Sequence, residues 1–281
     1  MASIHSIKRR IKSIDGTRQI TQAMELVAAS KIIRMKKNVE ISRPYYQNLY
    51  RTLMEIAEVN TDFSSEYTAE RPVKKTCCIL LGGDRGLAGG YNSNVFKMLE
   101  KGMKGKTCCY LPIGKKAVEY CDRREKELLT DLTYSVEEMK VGTCFQMGAL
   151  LAKAFLDREY DELYIAYTHF TSMMEQTPSV LKVLPLYRDK PMPGRRISSH
   201  ILYEPSAEAV FNSIVPSYLG GLLYGAVCEA SAAELAARRT AMNTASKNAK
   251  DMILNLDLQY NRARQGKITQ EITEIIAGSG E

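Results

Sequence analysis

The sequence lacks the residue patterns of the common catalytic and metal sites. Its three histidines, His5, His169 and His200, have no metal-ligand spacing, and His169 falls in a strand pattern that favours a structural role. The seven cysteines include no C-x-x-C pair, which is the usual basis for zinc or thioredoxin-like chemistry. No Gly-x-Ser-x-Gly motif marks a nucleophile. We therefore expect no catalytic residue, no metal and no cofactor in this chain.

Long apolar runs are also absent. No window holds eighteen uncharged apolar residues, so no membrane span is predicted. The basic N-terminus has neither a continuous apolar segment nor a small-residue cleavage site, so no signal or transit peptide is predicted. With 45% hydrophobic and 25% charged residues, the composition is that of an ordinary soluble protein. We expect a cytosolic protein of a bacterial type of cell.

Most of the cysteines are not spaced for a bridge either. Cys77–Cys78 and Cys108–Cys109 are adjacent pairs inside apolar, strand-like runs. Neighbouring residues of a strand point to opposite faces of the sheet. The sequence therefore predicts reduced, buried thiols that act as small hydrophobic side chains.

The C-terminal stretch, residues 216–277, has almost no helix breakers. No proline follows Pro216, and no glycine lies between Gly225 and Gly266. Because proline and glycine are the residues that most disfavour a helix, their absence allows a very long one. Small residues recur there in steps of three and four, which predicts one packed helix face: Ala226, Ala230, Ala233, Ala237, Ala241, Ala245 and Ala249.

The other end of the chain supplies a partner for that helix. Isoleucines at positions 4, 7, 11 and 14 form an a/d heptad seam. After Gly16 we predict a register slip of one residue, with the seam resuming at Ile20, Met24, Val27 and Ala28. A first helix over residues 3–60, interrupted near Pro44, should pair with the C-terminal helix. The two are predicted to form a long, intramolecular, antiparallel coiled coil.

Between these helices, strand and helix patterns alternate, which predicts an inserted α/β domain with a Rossmann-like, largely parallel sheet. Strands are predicted at 75–81, 107–113, 162–170 and 179–186, with a weaker one at 126–134, and helices at 95–101, 114–123 and 143–157. The polar segment 61–72 is predicted to be a linker. The predicted domains are a coiled-coil helix over 1–60, an α/β domain over 73–204 and a second coiled-coil helix over 205–281.

A glycine-rich segment, residues 82–90, follows the first strand, where a phosphate-binding loop would lie. Its glycines Gly83, Gly86 and Gly89 are each three apart, whereas dinucleotide binding needs G-x-G-x-x-G. No Gly-Lys-Ser/Thr follows, as a nucleotide P-loop requires. A tight, exposed turn is favoured, and a nucleotide-dependent enzyme is a weaker alternative.

Positive charge is concentrated in the first helix. Residues 1–51 contain eleven Lys and Arg against three acidic residues, and so carry +8, more than the +7 of the whole chain. Such one-sidedness predicts an acidic protein surface or a polyanion as the partner. The alternative is a basic coiled-coil protein that binds nucleic acid, with an affinity that falls steeply with salt.

Four motifs, in order, resemble those of one family. They are residues 7–11 (IKRRI) with 20–31 (ITQAMELVAASK), residues 84–94 (DRGLAGGYNSN), residues 203–205 (YEP), and residues 236–242 with 260–271 of the last helix. Together they resemble the gamma subunit of bacterial F-type ATP synthase. No insertion like the one that carries the redox-regulated cysteine pair of chloroplast members is present.

The resemblance implies a non-catalytic rotor. In the family, the coiled coil turns inside a ring of three catalytic beta and three non-catalytic alpha subunits. The α/β domain stands on a membrane ring of c subunits and binds the epsilon subunit. The expected location is the cytoplasmic face of the bacterial plasma membrane, as a peripheral protein.

The resemblance also implies roles for residues of this chain. Polar contacts to an acidic catch loop of a catalytic subunit are implied for Arg264, Gln265, Thr269, Lys8, Arg9 and Arg10. Met24 and Arg238 match positions that face a second acidic loop. Contacts with the membrane ring are implied for Tyr203, Glu204 and Glu208, although Glu208 could instead compensate a helix dipole. An apolar tip, extending past the partner helix, is predicted from Ile268, Ile272, Ile275 and Ile276.

Overall fold

The computed structural model describes residues 4–59, 63–186 and 202–278. These residues form two compact units. The helical unit comprises residues 1–30 and 238–281, and the sheet unit comprises residues 31–237. The elements, in chain order, are α1 (Ile4–Val59), β1 (Thr76–Leu81), α2 (Tyr91–Gly102), β2 (Cys108–Ile113), α3 (Lys115–Arg123), a 3-10 helix (Val136–Glu138), α4 (Val141–Leu156), β3 (Glu162–Phe170), β4 (Gln176–Leu184) and α5 (Ala207–Gly278).

The helical unit consists of the first part of α1 paired with the last part of α5. The amide of Asn243 donates a 3.1 Å hydrogen bond to the Glu25 carboxylate across the pair. The least exposed positions of α1 continue one heptad repeat throughout: 4, 7, 11, 14, 18, 21, 25 and 28. This confirms the predicted antiparallel coiled coil.

The predicted register slip after Gly16 is wrong. Ile20 and Val27 are 62% and 56% exposed, whereas Thr21 is buried in the unshifted register. Of the other two predicted seam residues, Ala28 is buried, at a position that the unshifted register also reaches, and Met24 is half-buried. Polar side chains are tolerated in the seam because they find partners. The Thr21 hydroxyl, for example, donates to the Arg18 carbonyl at 2.9 Å.

The small-residue face of α5 is only partly the predicted one. Ala226, Ala230, Ala233 and Ala249 are buried, but Ala241 and Ala245 are half-exposed. In the helical unit the buried stripe combines Ala249 with three larger or polar side chains: Met242, Ser246 and Leu256. The buried positions follow a heptad repeat, as coiled-coil packing requires. The predicted alanines from Ala233 to Ala249 are instead each four residues apart.

Both long helices contain a proline that the sequence suggested as a boundary or interruption. Helix α5 begins at Ala207, nine residues before Pro216, and α1 continues through Pro44 to Val59. In the sheet unit the first turns of α5 supply much of the core, including Phe211, Val215 and Leu219. Apolar packing stabilises these turns against the sheet and outweighs the hydrogen bond that each proline removes.

The sheet has the strand order β2-β1-β3-β4. Strands β2, β1 and β3 are parallel, with Cys77 opposite Cys109 and Ile79 opposite Ile165. Strand β4 runs antiparallel to β3 at the edge. The prediction of an α/β domain with a largely parallel sheet is confirmed. The free thiols are confirmed as core residues, since all but half-exposed Cys108 are buried.

Three local predictions are wrong. The described part of the predicted linker is packed, with Tyr67 2% exposed and its ring stacked on Phe155 at 5.8 Å. Residues 126–134 form only isolated bridges to β2, through Leu128 and Tyr134. Helix α2 begins at Tyr91 rather than near 95. In its first turn the Asn92 side chain accepts the Gly83 amide hydrogen at 2.8 Å.

One helix passes a length and hydropathy test for a membrane span. An 18-residue window of α5 has a mean hydropathy of 1.3, and 61% of that window is buried inside the structure. The core helix of a water-soluble protein gives the same result, so this is weak evidence for a span. The test admits polar uncharged residues, which the sequence expectation did not.

Candidate functional site

The carboxyl ends of the parallel strands form the edge where open α/β sheets bind ligands. Asp84 lies there, just after β1, and its carboxylate accepts the backbone N–H groups of Lys115 at 3.1 Å and Val136 at 2.9 Å. Lys115 opens α3, and the N–H groups of a helix N-terminus are a common phosphate site. Because the chain's own carboxylate binds these groups, the geometry disfavours a nucleotide at this loop.

The glycine-rich loop also contacts α5. A Cβ atom at Gly83 would lie 2.7 Å from the Glu234 carboxyl carbon, so a side chain there would have to displace the end of the Glu234 side chain. The hydroxyl of Tyr91 donates to the Ala230 carbonyl at 3.1 Å. Ala88 is 3% exposed, whereas Leu87 is 64% exposed. The predicted turn is exposed at residues 85–87 and at Gly89 and Gly90, while Gly83 and Ala88 are buried.

A buried carboxylate next to this loop joins three elements of the sheet unit. Glu229 of α5 has a side chain only 3% exposed. It accepts a 2.8 Å ion-paired hydrogen bond from Arg43 of α1 and lies 2.5 Å from His169 Nδ1, at the end of β3. We call Arg43, Glu229 and His169 the carboxylate joint. His169 is thus a structural residue, as the sequence predicted.

The charge of Glu229 affects the groups around it. Its hydrogen bond with Arg43 raises the pKa of that guanidinium. Burial, and then the Glu229 charge, raise the pKa of the Tyr46 phenol. Burial together with the same carboxylate raises the pKa of Tyr167 to about 12. The tyrosines are therefore neutral at physiological pH, and the joint is an ion pair set among neutral groups.

Glycines let the helices of the sheet unit approach closely. A Cβ at Gly225 would lie 2.4 Å from the Tyr46 ring, and one at Gly221 would lie 2.8 Å from the Tyr45 ring. A Cβ at Gly148 of α4 would lie 2.5 Å from the Gly220 backbone nitrogen of α5. At these contacts in the sheet unit, helices α1, α4 and α5 are therefore packed without space for additional atoms.

In the helical unit, the predicted catch-loop residues are all exposed. Arg264 and Gln265 lie on the outer surface of α5, and Thr269 donates its hydroxyl hydrogen to the Gln265 carbonyl at 2.9 Å. On α1, Lys8, Arg9 and Arg10 are also exposed. Their availability to a partner agrees with the predicted role but does not test it.

The end of α5 extends past the start of α1. Asn243 is bonded to Glu25, and because both helices rise equally per residue, Ile4, 21 residues before Glu25, lies level with Arg264, 21 residues after Asn243. All described side chains from 264 to 275 are exposed, including Ile268, Ile272 and Ile275 at 47%, 51% and 70%. The side chain of Ile276 lies outside the described set.

The other predicted positions differ in exposure. Met24 is half-buried next to Glu25, and Arg238 is 9% exposed. Tyr203 packs its ring partly against the core, while Glu204 and Glu208 are exposed. Glu208 lies in the first turn of α5, so the helix-dipole alternative stays open.

The sequence reasoning missed the carboxylate joint. Two glutamates, Glu229 and Glu234, interrupt the apolar and alanine-rich face of α5, and both are buried. A charged residue on a predicted packing face needs a partner. That mismatch was the available signal, but it could not identify Arg43 and His169 as the partners.

Among the described residues, no group of three His, Cys, Asp or Glu could hold a metal ion.

A family profile described as ATP synthase matches residues 3–280. The ATP synthase gamma chain of Ruminococcus albus is 39% identical over 284 residues, covering 99% of this chain and 98% of that one. The sodium ion specific gamma chain of Acetobacterium woodii is 35% identical, covering 99% and 98%.

Solved structures share the fold. The central stalk and c-ring structure of the Tetrahymena thermophila mitochondrial ATP synthase contains a chain with a TM-score of 0.62 and 23% identity, covering 81% of this chain and 99% of that one. The rotor of the Euglena gracilis enzyme contains one with a TM-score of 0.63 and 18% identity, covering 94% and 98%. The nucleic-acid alternative has no support from these matches. Because the chain is 39% and 35% identical to these bacterial gamma chains over 99% of its length, it belongs to the ATP synthase gamma-chain family.

Proposed function

We propose that this chain is the rotating central-stalk subunit of a bacterial F-type ATP synthase. It carries no catalytic residue and couples ion flow through a membrane ring to ATP synthesis or hydrolysis in the catalytic ring. The observation that carries the proposal is the helical unit, in which the two chain ends pair antiparallel and the last turns of α5 continue alone. A single helix emerging from a pair is suited to turn inside a ring.

The mechanism is mechanical and depends on asymmetry. The two helices present different side chains, so each of three chemically identical catalytic subunits meets a different surface. Each is then held in a different conformation, with a different nucleotide affinity. Turning the helix pair moves these states around the ring in sequence. The chain supplies the order of events, and the catalytic subunits supply the chemistry.

Polar contacts must be few and able to exchange between catalytic subunits. Arg264 and Gln265 are exposed on the unpaired part of α5 and can bind an acidic loop of one beta subunit at a time. An arginine binds a carboxylate through two parallel, charge-assisted bonds. Thr269, one turn further on, and the basic group Lys8, Arg9 and Arg10 of α1 contribute to the same surface.

Apolar contacts at the end of α5 allow the helix to turn against the alpha and beta subunits. Ile268, Ile272 and Ile275, with Ile276, form a tip that turns within an apolar sleeve of the alpha and beta subunits. Apolar contact is non-directional, so rotation breaks no oriented bond there. Met24 and Arg238 face a second acidic loop, where an added positive charge on Met24 would form an unproductive ion pair.

The sheet unit meets the membrane ring of c subunits. Tyr203, Glu204 and Glu208 lie near the start of α5 and contact polar loops of that ring, while the epsilon subunit binds the same unit. The complex lies on the cytoplasmic face of the plasma membrane, and this chain is peripheral to it. One relative is named as sodium ion specific. The coupled ion is therefore either H⁺ or Na⁺, and the c subunits bind it.

The test is assembly and rotation. The full chain is combined with alpha, beta, epsilon and c subunits of the same organism, and ATP-driven rotation of a probe on the c-ring is recorded. We expect rotation in discrete steps. A folded chain that fails to enter the complex contradicts the proposal, and salt-sensitive binding to duplex DNA would favour the nucleic-acid alternative instead.

A further inference from the structure

We propose that Glu229 transmits torque between the sheet and the helices of the sheet unit. It is a positioning residue, which acts through Arg43 and His169 and touches no nucleotide. The inference rests on the proposed rotor function, because torque is needed only if the chain rotates.

The carboxylate joint ties three elements together at one side chain. Arg43 binds Glu229 from α1 at 2.8 Å, and His169 binds it from the carboxyl end of β3 at 2.5 Å. The carboxylate is only 3% exposed, so water does not compete for it. Charge-assisted hydrogen bonds of this kind are short and directional. They oppose sliding and twisting of α5 against the sheet.

The rest of this contact has few directional bonds. The cluster around the joint contains small or apolar side chains such as Phe170, Cys228, Ala232 and Ala233. Apolar contacts are non-directional and oppose separation of α5 from the sheet more than they oppose a turn about the helix axis. The bond from Tyr91 to the Ala230 carbonyl lies one residue along α5 from Glu229. Besides α1, two elements of the sheet unit therefore make oriented bonds within one turn of α5, and a further bond joins the Ser65 hydroxyl to Asn212 of α5 at 2.7 Å.

Stability alone does not explain a buried charge at this place. Replacing a buried ion pair by apolar residues of similar volume is often neutral or stabilising, because burial removes both charges from water. An alanine-rich helix could have continued through position 229 with better helix propensity. The charged pair adds a fixed orientation between elements, which is what a torque-bearing contact needs.

The experiment measures stiffness in the assembled complex. A probe is attached at Met174→Cys in the sheet unit, since Met174 lies between β3 and β4 and is 96% exposed. Its angular distribution is recorded during catalytic pauses, when the catalytic ring holds the helix pair. We expect Glu229→Gln to widen this distribution at unchanged mean pause angles, and His169→Gln to widen it to a smaller extent. Glu40→Gln is the control, because its ion pair with Lys36 is exposed on the same helix as Arg43.

The outcomes separate the two proposals. A wild-type complex that does not rotate contradicts the proposed function. If the wild type rotates and the angular distribution of Glu229→Gln is as narrow as that of Glu40→Gln, the torque role is overturned. If Glu229→Gln does not assemble, His169→Gln decides, since the His169 side chain is 41% exposed and its loss leaves the Arg43 pair in place. A wild-type width in that variant also overturns the role.

Discussion

Asn243 and Glu25 are 218 positions apart in the sequence, and their side chains share a 3.1 Å hydrogen bond. This bond fixes the register of the two helices in the helical unit. It also lies next to Met24, one of the positions proposed to face an acidic loop of a catalytic subunit. Substitutions at Met24 therefore probe the partner surface beside a contact that holds the pair in register.

We predict that Met24→Lys reduces ATP-driven ion pumping more than ATP hydrolysis. A lysine there adds a flexible positive charge that can bind the acidic loop in the wrong rotary positions. The measurement is the ratio of ions pumped to ATP hydrolysed in membranes that carry the complex. Met24→Leu, which keeps the side chain uncharged, is expected to retain the wild-type ratio. Equal losses of pumping and hydrolysis would count against this account.

We predict that the double variant Arg264→Ala, Gln265→Ala lowers ATP turnover of the assembled complex. A hydrogen bond to a charged group contributes about 1.5–3 kcal/mol, so loss of this contact at the rate-limiting state lowers turnover by about tenfold or more. Both side chains are exposed, so the thermal midpoint of the isolated chain should not change.

Lys267→Ala is the matched control for that variant. Its ion pair with Glu271 is exposed on the same part of α5, and exposed pairs contribute little to stability. The control should keep turnover close to that of the wild type. Unaltered turnover in the double variant would refute the catch-loop role of Arg264 and Gln265.

We predict that Gly148→Ala destabilises the sheet unit. The added Cβ would lie 2.5 Å from the Gly220 nitrogen and 2.6 Å from the Pro216 carbonyl oxygen, and backbone atoms cannot rotate away. Overpacking of this kind costs about 1–3 kcal/mol, measured as a lower denaturant midpoint. Gly142→Ala, on the same helix with no atom within 4 Å of its Cβ, should instead stabilise by about 0.4–1 kcal/mol.

Acid should destabilise the sheet unit through Glu162. Burial acts to raise the pKa of this carboxyl, but hydrogen bonds from Lys106 at 2.7 Å and Lys182 at 2.6 Å hold it below the ordinary value of 4.5. A lowered pKa in the folded state means that the contribution to stability is full above the unfolded pKa. It is lost as the pH falls through the folded pKa.

The thermal midpoint measured from pH 7 to pH 3 tests this linkage. Glu162→Gln should be less stable than the wild type at pH 7, and the difference should shrink below pH 4.5. Glu58→Gln, which removes an exposed carboxylate of the same unit, should show the wild-type loss on acidification. A constant difference between Glu162→Gln and wild type across the range would contradict the linkage.

The long helices and the sheet could be predicted because their patterns are strong and local. Breakers are absent from most of α5, the isoleucines at 4, 7, 11 and 14 repeat as a heptad, and the apolar run that forms β1 is followed by Gly82 and Gly83. The predicted slip at Gly16 failed because hydrophobicity alone was used to choose the seam. Glu25 occupies a seam position through its hydrogen bond with Asn243 of the partner helix, and Thr21 does so through a hydrogen bond to the Arg18 carbonyl of its own helix.

Features that depend on tertiary contacts could not be predicted. The segment around Tyr67 is polar in sequence, yet it packs because Phe155 and the edge of the core lie beside it. Continuation of α5 through Pro216 depends on burial of Phe211 and Val215, although the predicted start of the last domain, residue 205, lies close to Ala207, where the helix begins. The partners of Glu229 are 60 and 186 positions away, beyond the reach of any local pattern.

The Asp84 carboxylate limits what can bind at this edge of the sheet. It accepts the first amide of α3, from Lys115, and the Val136 amide of the 3-10 helix, so it occupies the place where comparable sheets hold a phosphate group. Under the proposed function, information about nucleotide occupancy reaches this chain as force from the catalytic ring rather than through a ligand of its own.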